Sequence, residues 1–277
     1  MKKLEIQDVR FYYKIDSTIP ENLDVRHCHD RYEILYVVEG KGKCVVEGVE
    51  YAIHPRTVML VRPFAYHTLM LDSDSPYERY VLQFSDATLM GDAPTILSEM
   101  LPEKNDEVES SFIIKNITSD TASLFERFDA IAALPESGRL SYLRMLISQI
   151  VIMLSASADD HHINDRGELG ARVIRYLNGS IDKNLSLDHL ARHFFVSKYY
   201  LCRAFKKHNG ISIHGYINQK RIMYAKQLIE QGETASVAAY KVGFGDYSAF
   251  YRAYVKIIGT SPTADQANGG DNDARIN

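Results

Sequence analysis

The fold of this 277-residue chain is decided by two similar stretches near its carboxyl end, LSLDHLARHFFVSKYYLCRAFKKHNG (residues 185–210) and ASVAAYKVGFGDYSAFYRAYVKIIGTSP (residues 235–262). Each opens with apolar residues at i, i+3, i+4 and i+7, which predicts a short amphipathic helix. In the first stretch these residues are Leu187, Leu190, Ala191 and Phe194. After a turn, Ser197 and Asp246 are placed to cap a second helix in each stretch. The pattern therefore predicts two tandem helix-turn-helix units.

A longer helix is predicted between the two units. Ser212 can cap its start and Gly232 follows its end, so that it covers residues 213–230. At 1.5 Å per residue this helix would be about 27 Å long. Two recognition helices separated by such a spacer could lie about one turn of DNA, ~34 Å, apart on one face of a duplex.

The same segment resembles the DNA-binding domain of AraC/XylS-type transcription regulators. The matching motifs are ARHFFVSKYYLCRAFKK (191–207), Gly210, Arg221, Ala225, GFGDYSAFYRAYVK (243–256) and GTSP (259–262). The chain departs from the family pattern at Phe195, where many members have glycine, and at Ala235 and Ala238, where isoleucine is usual. The resemblance implies sequence-specific binding to double-stranded DNA.

The resemblance also implies which side chains face the DNA. In the two recognition helices they are Lys198, Tyr199, Tyr200, Cys202, Arg203, Lys206, Lys207, Tyr247, Ser248, Tyr251 and Arg252. Arg203 is expected to read a base, because arginine can make a bidentate contact with guanine. The lysines are expected to contact phosphates, and the tyrosine-rich second helix mainly to position the protein on the DNA backbone.

The charge of the chain is distributed unevenly between its two halves. Residues 168–265 contain 14 Lys and Arg against 7 Asp and Glu, whereas residues 1–167 contain 17 against 27. A basic carboxyl-terminal half suits contact with phosphates. Three widely spaced cysteines favour reduced thiols. With no secretory signal pattern and no run of 18 apolar residues, a cytoplasmic protein without a membrane span is expected.

The amino-terminal half reads as short strands separated by turns. Strands are predicted at residues 31–39, 43–47, 51–53, 57–62 and 77–84, with a tight turn at 40–42. Such spacing is typical of a β-barrel or double-sheet jelly roll. This half resembles the cupin-type sensor domain of AraC-family regulators at His27, His29, Glu33, Gly40, Pro63 and His67. The whole chain is therefore assigned to the α+β class.

The histidines of the predicted sensor domain suggest a ligand site. In a continuous strand His27, His29 and Glu33 would project from one face, with His67 approaching from a neighbouring strand. Three imidazoles and a carboxylate are a ligand set for borderline metals. The favoured alternative is hydrogen bonding to an organic effector, for which a sugar is the family-level expectation, with no cofactor. The proposed effector-binding residues are His27, His29, Glu33, Arg62, Tyr66, His67 and Gln83.

Helices are predicted in the middle of the chain. Apolar residues recur through residues 118–134, and a 3, 4, 3, 4 spacing of apolar residues through residues 140–154 is a short coiled-coil pattern. The family resemblance implies dimerisation there, through Leu143, Ile147 and Ile150. The predicted domains are thus a sensor (1–105), a helical dimerisation region and linker (106–165), a DNA-binding domain (166–265) and a disordered tail (266–277).

Two functions are compatible with these features. The favoured one is a homodimeric, effector-controlled transcription regulator that is not an enzyme, for which RNA polymerase is a further candidate partner. The alternative is a metal-dependent cupin enzyme joined to a DNA-binding module. The sequence leaves open the effector, the operator and whether target genes are activated or repressed.

Overall fold

The computed structural model describes residues 2–7, 9–16, 27–72, 76–101, 112–156, 169–179 and 185–264. Contacts divide the chain into two compact units, one made of residues 1–27 and 31–165 and the other of residues 28–30 and 166–277. The predicted interdomain linker lies almost wholly outside the described residues, and so does the predicted tail. The limits of the four predicted domains stay a prediction.

Two antiparallel sheets form the first unit. Its described strands are β1 (Lys2–Ile6), β2 (Val9–Asp16), β3 (Tyr32–Glu39), β4 (Gly42–Val46), β5 (Val49–Ile53), β6 (Thr57–Val61), β7 (His67–Leu71), β8 (Tyr77–Phe84) and β9 (Phe112–Asn116). Six of them form a sheet in the order β1-β2-β8-β3-β6-β9, and three form a smaller sheet in the order β5-β4-β7. The α+β, cupin-like architecture expected from the sequence is confirmed.

Helices cover one face of the large sheet. They are α1 (Ala93–Met100), α2 (Ser119–Glu126), a 3-10 segment (Arg127–Ala133) and α3 (Glu136–Ala156). The even-numbered residues Tyr32, Ile34 and Tyr36 of β3 belong to one buried cluster with apolar residues of these helices. Because side chains alternate along a strand, Glu33 and Leu35 project from the other face.

The other face of the large sheet looks toward the small sheet. The rings of Tyr51 on β5 and Phe112 on β9 meet edge to face, with centroids 4.9 Å apart, and so join the two sheets. Phe112 pairs with Val61, and Val61 pairs with Glu33. Directly paired residues share a face, so Glu33 lies on the inter-sheet side. A carboxylate therefore projects into the space between two largely apolar sheets.

Two parts of the middle segment differ from the sequence prediction. Residues 106–165 were expected to contain only helices and a linker, but β9 also lies there and pairs with β6. The helix expected through residue 134 ends at Glu126 and continues as a 3-10 segment. β9 escaped prediction because it is stabilised by a partner strand some 55 residues away rather than by a local pattern.

The helix α3 has an unusual composition. Its length and mean hydropathy meet the criteria for a membrane-crossing helix, the only such helix among the residues described. Seven of its residues are buried in the first unit, including Leu143, Ile147 and Ile150. Burial against the sheet accounts for this apolar character, because the core helix of a globular protein passes the same test.

All described elements of the second unit are helices. They are α4 (Leu169–Asn178), α5 (Leu187–His193), α6 (Lys198–Asn209), α7 (Ile213–Glu230), α8 (Ala235–Lys241) and α9 (Tyr247–Ile258). The predicted caps are confirmed: the side chains of Ser186, Ser197, Ser212 and Asp246 each accept a backbone N–H of the first turn. Leu187 was expected in the core but is 38% exposed, since it is the first helical residue of α5.

One helix, α7, organises both helix-turn-helix units. Near its start Tyr216 packs against Phe205 of α6, with ring centroids 5.8 Å apart, and donates a hydrogen bond to Asn178 of α4. Its later residues, such as Ile222 and Ile229, share a buried cluster with α8 and α9. Because both helix-turn-helix units pack against α7, the length of α7 sets the distance between the two recognition helices.

Candidate DNA interface and ligand site

The first recognition helix, α6, presents one buried and one exposed face. Leu201 and Phe205 are fully buried, which fixes the rotation of the helix about its axis. Tyr199 is 75% exposed, and Arg203 lies on the same exposed side, one turn further along. The other predicted DNA-facing residues of α6 are also exposed, except for the partly buried Cys202. Burial of the opposite face thus orients these side chains outward.

The lysines of α6 are arranged unequally. Lys206 and Lys207 are exposed in its last turn, whereas Lys198 forms an ion pair with Asp188 at 2.6 Å. Both partners of that pair are more than half exposed, so the pair contributes little to stability. Lys198 can therefore exchange Asp188 for a phosphate at small cost.

The second recognition helix, α9, follows the same plan. Phe250 and Tyr254 are fully buried, and the predicted contact residues Tyr247, Ser248, Tyr251 and Arg252 are all exposed. Both carboxylate oxygens of Asp246 accept backbone N–H groups of the first turn, each at 2.9 Å. The start of the helix is thereby fixed.

The two turns differ at the residue with left-handed backbone. In the second unit this residue is Gly243, with φ of +85°, and in the first it is Phe195, with φ of +56°. The Phe195 side chain is 94% exposed. A left-handed conformation costs a non-glycine residue roughly 1–2 kcal/mol. The backbone of the first turn is therefore strained at Phe195, and because the Phe195 side chain is exposed, hydrophobic burial does not compensate for this strain.

The predicted ligand site is assembled from both sheets. His27 and His67 form an isolated antiparallel bridge, and their ring centroids are 4.5 Å apart. Ligating atoms of His27 and His67 lie within 4.8 Å of each other. Glu33 lies 3.5 Å from His67, measured from Oε1 to Nε2, and its Oε2 accepts a hydrogen bond from Gln83 at 2.8 Å. Four of the seven predicted effector-binding residues, all in the first unit, therefore come together.

The reason for this convergence differs from the sequence argument. The expected continuous strand from His27 to Glu33 is wrong, because β3 begins only at Tyr32. The histidines are instead positioned by the bridge to the first residue of β7. Of the remaining predicted residues, Arg62 and Tyr66 lie in the connection that leads from β6 to β7, whereas His29 belongs to the other compact unit.

The electrostatics of the site are dominated by buried carboxylates. Glu33 and Glu47 are both buried, and Glu47 accepts a hydrogen bond from the backbone N–H of Tyr66 at 3.0 Å. Burial alone would lower the pKa of His67, but interactions with Glu33, the Ala65 carbonyl and Glu47 raise it above its ordinary value. This region therefore favours a positive charge. Glu47 was missed in the sequence, where it is only the last residue of the strand predicted at residues 43–47.

A second buried ion pair lies at the end of β2. Asp16 accepts a hydrogen bond from Arg79 of β8 at 2.6 Å, and Arg79 also stacks over the ring of Tyr77 at 4.4 Å. Burial would raise the pKa of Asp16, but Arg79 and Lys14 lower it below its usual value. This arrangement stabilises the strand pair without involving the histidines.

The predicted dimer seam has to be corrected. Leu143, Ile147 and Ile150 are fully buried in the core of the first unit, in one cluster with the large sheet. Residues without accessible surface cannot contact a second chain, so the 3, 4 spacing marks intramolecular packing. The exposed face of the same helix instead carries Met145, which is 60% exposed, and Ile152, which is 42% exposed.

Comparison with known proteins agrees with this division of the chain. A family described as "AraC-like ligand binding domain" matches residues 18–105, and one described as "Helix-turn-helix domain" matches residues 190–268. The chain belongs to the AraC family. The transcriptional activator RhaS of Enterobacter sp. (strain 638) is 24% identical over 253 residues, covering 90% of this chain and 89% of that protein. The uncharacterized regulator YbfI of Bacillus subtilis (strain 168) is 26% identical over 226 residues, covering 80% and 79%.

Among solved structures, ToxT from Vibrio cholerae O395 is 15% identical, covers 94% of this chain and 97% of that chain, and has a TM-score of 0.41. The two family matches together extend over more than half of this AraC-family chain. It is a DNA-binding transcription regulator with an amino-terminal ligand-binding domain.

Proposed function

We propose that this AraC-family protein reads DNA through the exposed faces of α6 and α9 when a small-molecule effector occupies the space between its two sheets. The observation that carries the proposal is helix α7, against which both helix-turn-helix units pack. A side-chain cap fixes the start of each recognition helix. With about 27 Å between its ends, α7 suits two successive major grooves on one side of a duplex.

The two recognition helices are assigned different roles. Arg203 stands on the exposed face of α6 and offers the planar donor group that pairs with guanine. Tyr247 and Tyr251 of α9 each offer a single hydroxyl, which suits contact with the DNA backbone. The first unit therefore supplies most of the sequence specificity and the second most of the positioning.

The effector is proposed to be a small hydroxylated molecule such as a sugar. Glu33, Gln83, His27 and His67 offer hydrogen-bond donors and acceptors on otherwise apolar sheets, and a few placed polar groups among apolar ones are typical of small-molecule sites. The relatives named RhaS are transcriptional activators, and we assign the same direction of control to this chain. RNA polymerase would then be a further partner.

The protein is proposed to act as a cytoplasmic homodimer without catalytic activity. Its contact surface is assigned to the exposed face of α3, on which Met145, Gln149 and Ile152 follow one another at i, i+4 and i+7. Two such helices can pair about a two-fold axis, so that the same patch contacts itself. Pairing would bring two basic domains to repeated half-sites and raise their combined affinity.

The test is electrophoretic mobility shift on DNA flanking the protein's own gene, with a panel of sugars and related polyols. One compound is expected to change the affinity of the wild type but not of Glu33→Ala, whose loss of a buried carboxylate removes an effector contact. Retention of the response by Glu33→Ala would place the effector elsewhere.

A further inference from the structure

We infer that the hydroxyl group of Tyr77 donates a hydrogen bond to an oxygen atom of the effector in the space between the two sheets. The inference deepens the proposed function and rests on the ligand site assigned there. It adds a specificity-determining residue that the sequence did not indicate, and it requires of the effector an oxygen atom that accepts a hydrogen bond.

Tyr77 is the first residue of β8, and its side chain projects toward the small sheet. Tyr80 and Phe84 of the same strand belong to the buried cluster beneath the helices. Because side chains alternate along a strand, Tyr77 lies on the opposite face, which it shares with Gln83, the hydrogen-bond partner of Glu33. Only 2% of Tyr77 is exposed. Its ring is therefore inside the first unit, on the face that carries the predicted effector-binding residues of β3 and β8.

The ring of Tyr77 is held in place by its neighbours. A Cβ atom at Gly40, where φ is +120°, would lie 2.8 Å from Cδ2 of Tyr77, so the ring packs directly against the backbone of this turn. The guanidinium carbon of Arg79 lies 4.4 Å from the ring centre, and Arg79 is itself paired with Asp16 at 2.6 Å. A side chain confined in this way loses little further freedom when its hydroxyl binds a ligand, which favours binding.

The hydroxyl group of Tyr77 is buried, and it makes no hydrogen bond with any residue that the structure describes. Such a group is unfavourable, because buried polar groups in proteins are nearly always paired. Burial raises the pKa of Tyr77 well above its ordinary value; Arg79 partly opposes this rise, and Glu33 of the large sheet and Cys44 of the small sheet add to it. The hydroxyl therefore lies between the two sheets and keeps its proton at neutral pH, so that it is available as a donor.

A hydroxylated effector suits this donor. Each hydroxyl group of a sugar or polyol can both donate and accept a hydrogen bond. One molecule can thus donate to the carboxylate of Glu33 through one hydroxyl and accept from Tyr77 through another oxygen atom. A compound that lacks this oxygen leaves the Tyr77 hydroxyl unpaired in the complex, and a site built to make a hydrogen bond discriminates against such a compound.

The test uses Tyr77→Phe, which removes only the hydroxyl group, in two measurements on the full-length protein. In urea unfolding without added compound, the variant should have the same midpoint as the wild type or a higher one, because no hydrogen bond within the protein is lost. In calorimetric titrations with aldopentoses, aldohexoses, their deoxy forms and the corresponding alditols, a compound that binds the wild type should bind Tyr77→Phe roughly 2- to 10-fold more weakly. This difference should disappear for the deoxy form that lacks the accepting oxygen.

The matched control is Tyr13→Phe. Tyr13 pairs with Tyr80 on the face covered by the helices, and its hydroxyl donates a hydrogen bond to Glu78 at 2.5 Å. The same substitution should therefore lower the urea midpoint there and leave the affinity for every compound unchanged.

A lower urea midpoint in Tyr77→Phe would overturn the inference, because the hydroxyl would then already have a partner within the protein. Equal affinity of the wild type and Tyr77→Phe for a bound compound would overturn it as well, while the proposed function would stand. If the wild type binds no compound of the panel, the effector class assigned under the proposed function fails, and the inference fails with it.

Discussion

Replacement of Phe195 by glycine should make the protein more stable, although it removes a large aromatic side chain. Phe195 has φ of +56°, and its side chain is 94% exposed, so truncation sacrifices almost no buried surface. Relief of the left-handed conformation is worth roughly 1–2 kcal/mol. The greater freedom of glycine in the unfolded chain offsets roughly 0.4–1 kcal/mol of this gain. We therefore expect the free energy of unfolding to rise by roughly 0.5–1 kcal/mol.

The matched variant is Gly243→Ala at the equivalent turn, where φ is +85°. Here the same two effects have opposite signs, and stability should fall by roughly 0.5–1 kcal/mol. Urea unfolding followed by far-ultraviolet circular dichroism measures both, because the second unit contributes much of the helical signal. A loss of stability in Phe195→Gly together with no change in Gly243→Ala would refute the reasoning.

Three further predictions follow from individual side chains. If the proposed dimer forms through the exposed face of α3, Ile152→Glu should sediment as a folded monomer. Ile147→Ala, in the core, should instead cost roughly 2–5 kcal/mol of stability and leave the sedimentation coefficient unchanged. A monomer in Ile147→Ala and an unchanged Ile152→Glu would assign the contact to the buried face. Arg203→Ala should weaken operator binding by about 1–3 kcal/mol more than non-specific binding. Lys207→Ala should weaken both alike and reduce the slope of log affinity against log salt concentration by about 1. Equal losses on both DNAs for Arg203→Ala would mean that Arg203 contacts a phosphate. Because the folded pKa of Asp16 is lowered, its stabilisation is present above its unfolded pKa of about 3.8 and is lost as pH falls through the folded value. Acidification from pH 6 to pH 2 should thus cost the wild type more stability than Asp16→Asn, as measured by urea midpoints, and equal costs would contradict the assigned pKa.

Features encoded by neighbouring residues could be predicted from the sequence. The caps at Ser197 and Asp246 satisfy backbone N–H groups two or three residues away, so their positions follow from the local pattern. The bounds of α7 follow from a cap and a terminating glycine in the same way. Helix identity and the outward face of each recognition helix therefore needed no tertiary information.

Features that depend on distant contacts could not be predicted in full. The spacing of Ile147 and its neighbours shows that one side of α3 is buried, but the covering partner can equally be a sheet or a second chain. Likewise, Glu47 becomes a buried carboxylate only through its contact with Tyr66, 19 residues away. The histidines converge through the bridge to His67, which no strand pattern around His27 encodes.

The most direct test of the account is hydroxyl-radical footprinting of the full-length protein on DNA flanking its own gene. If α7 holds both recognition helices in successive major grooves, each bound protomer should protect two patches about 10 base pairs apart on one face of the duplex. Arg203→Ala should weaken the patch of the first unit more than that of the second. A single protected patch per protomer would contradict the account, because α9 would then have no groove to occupy.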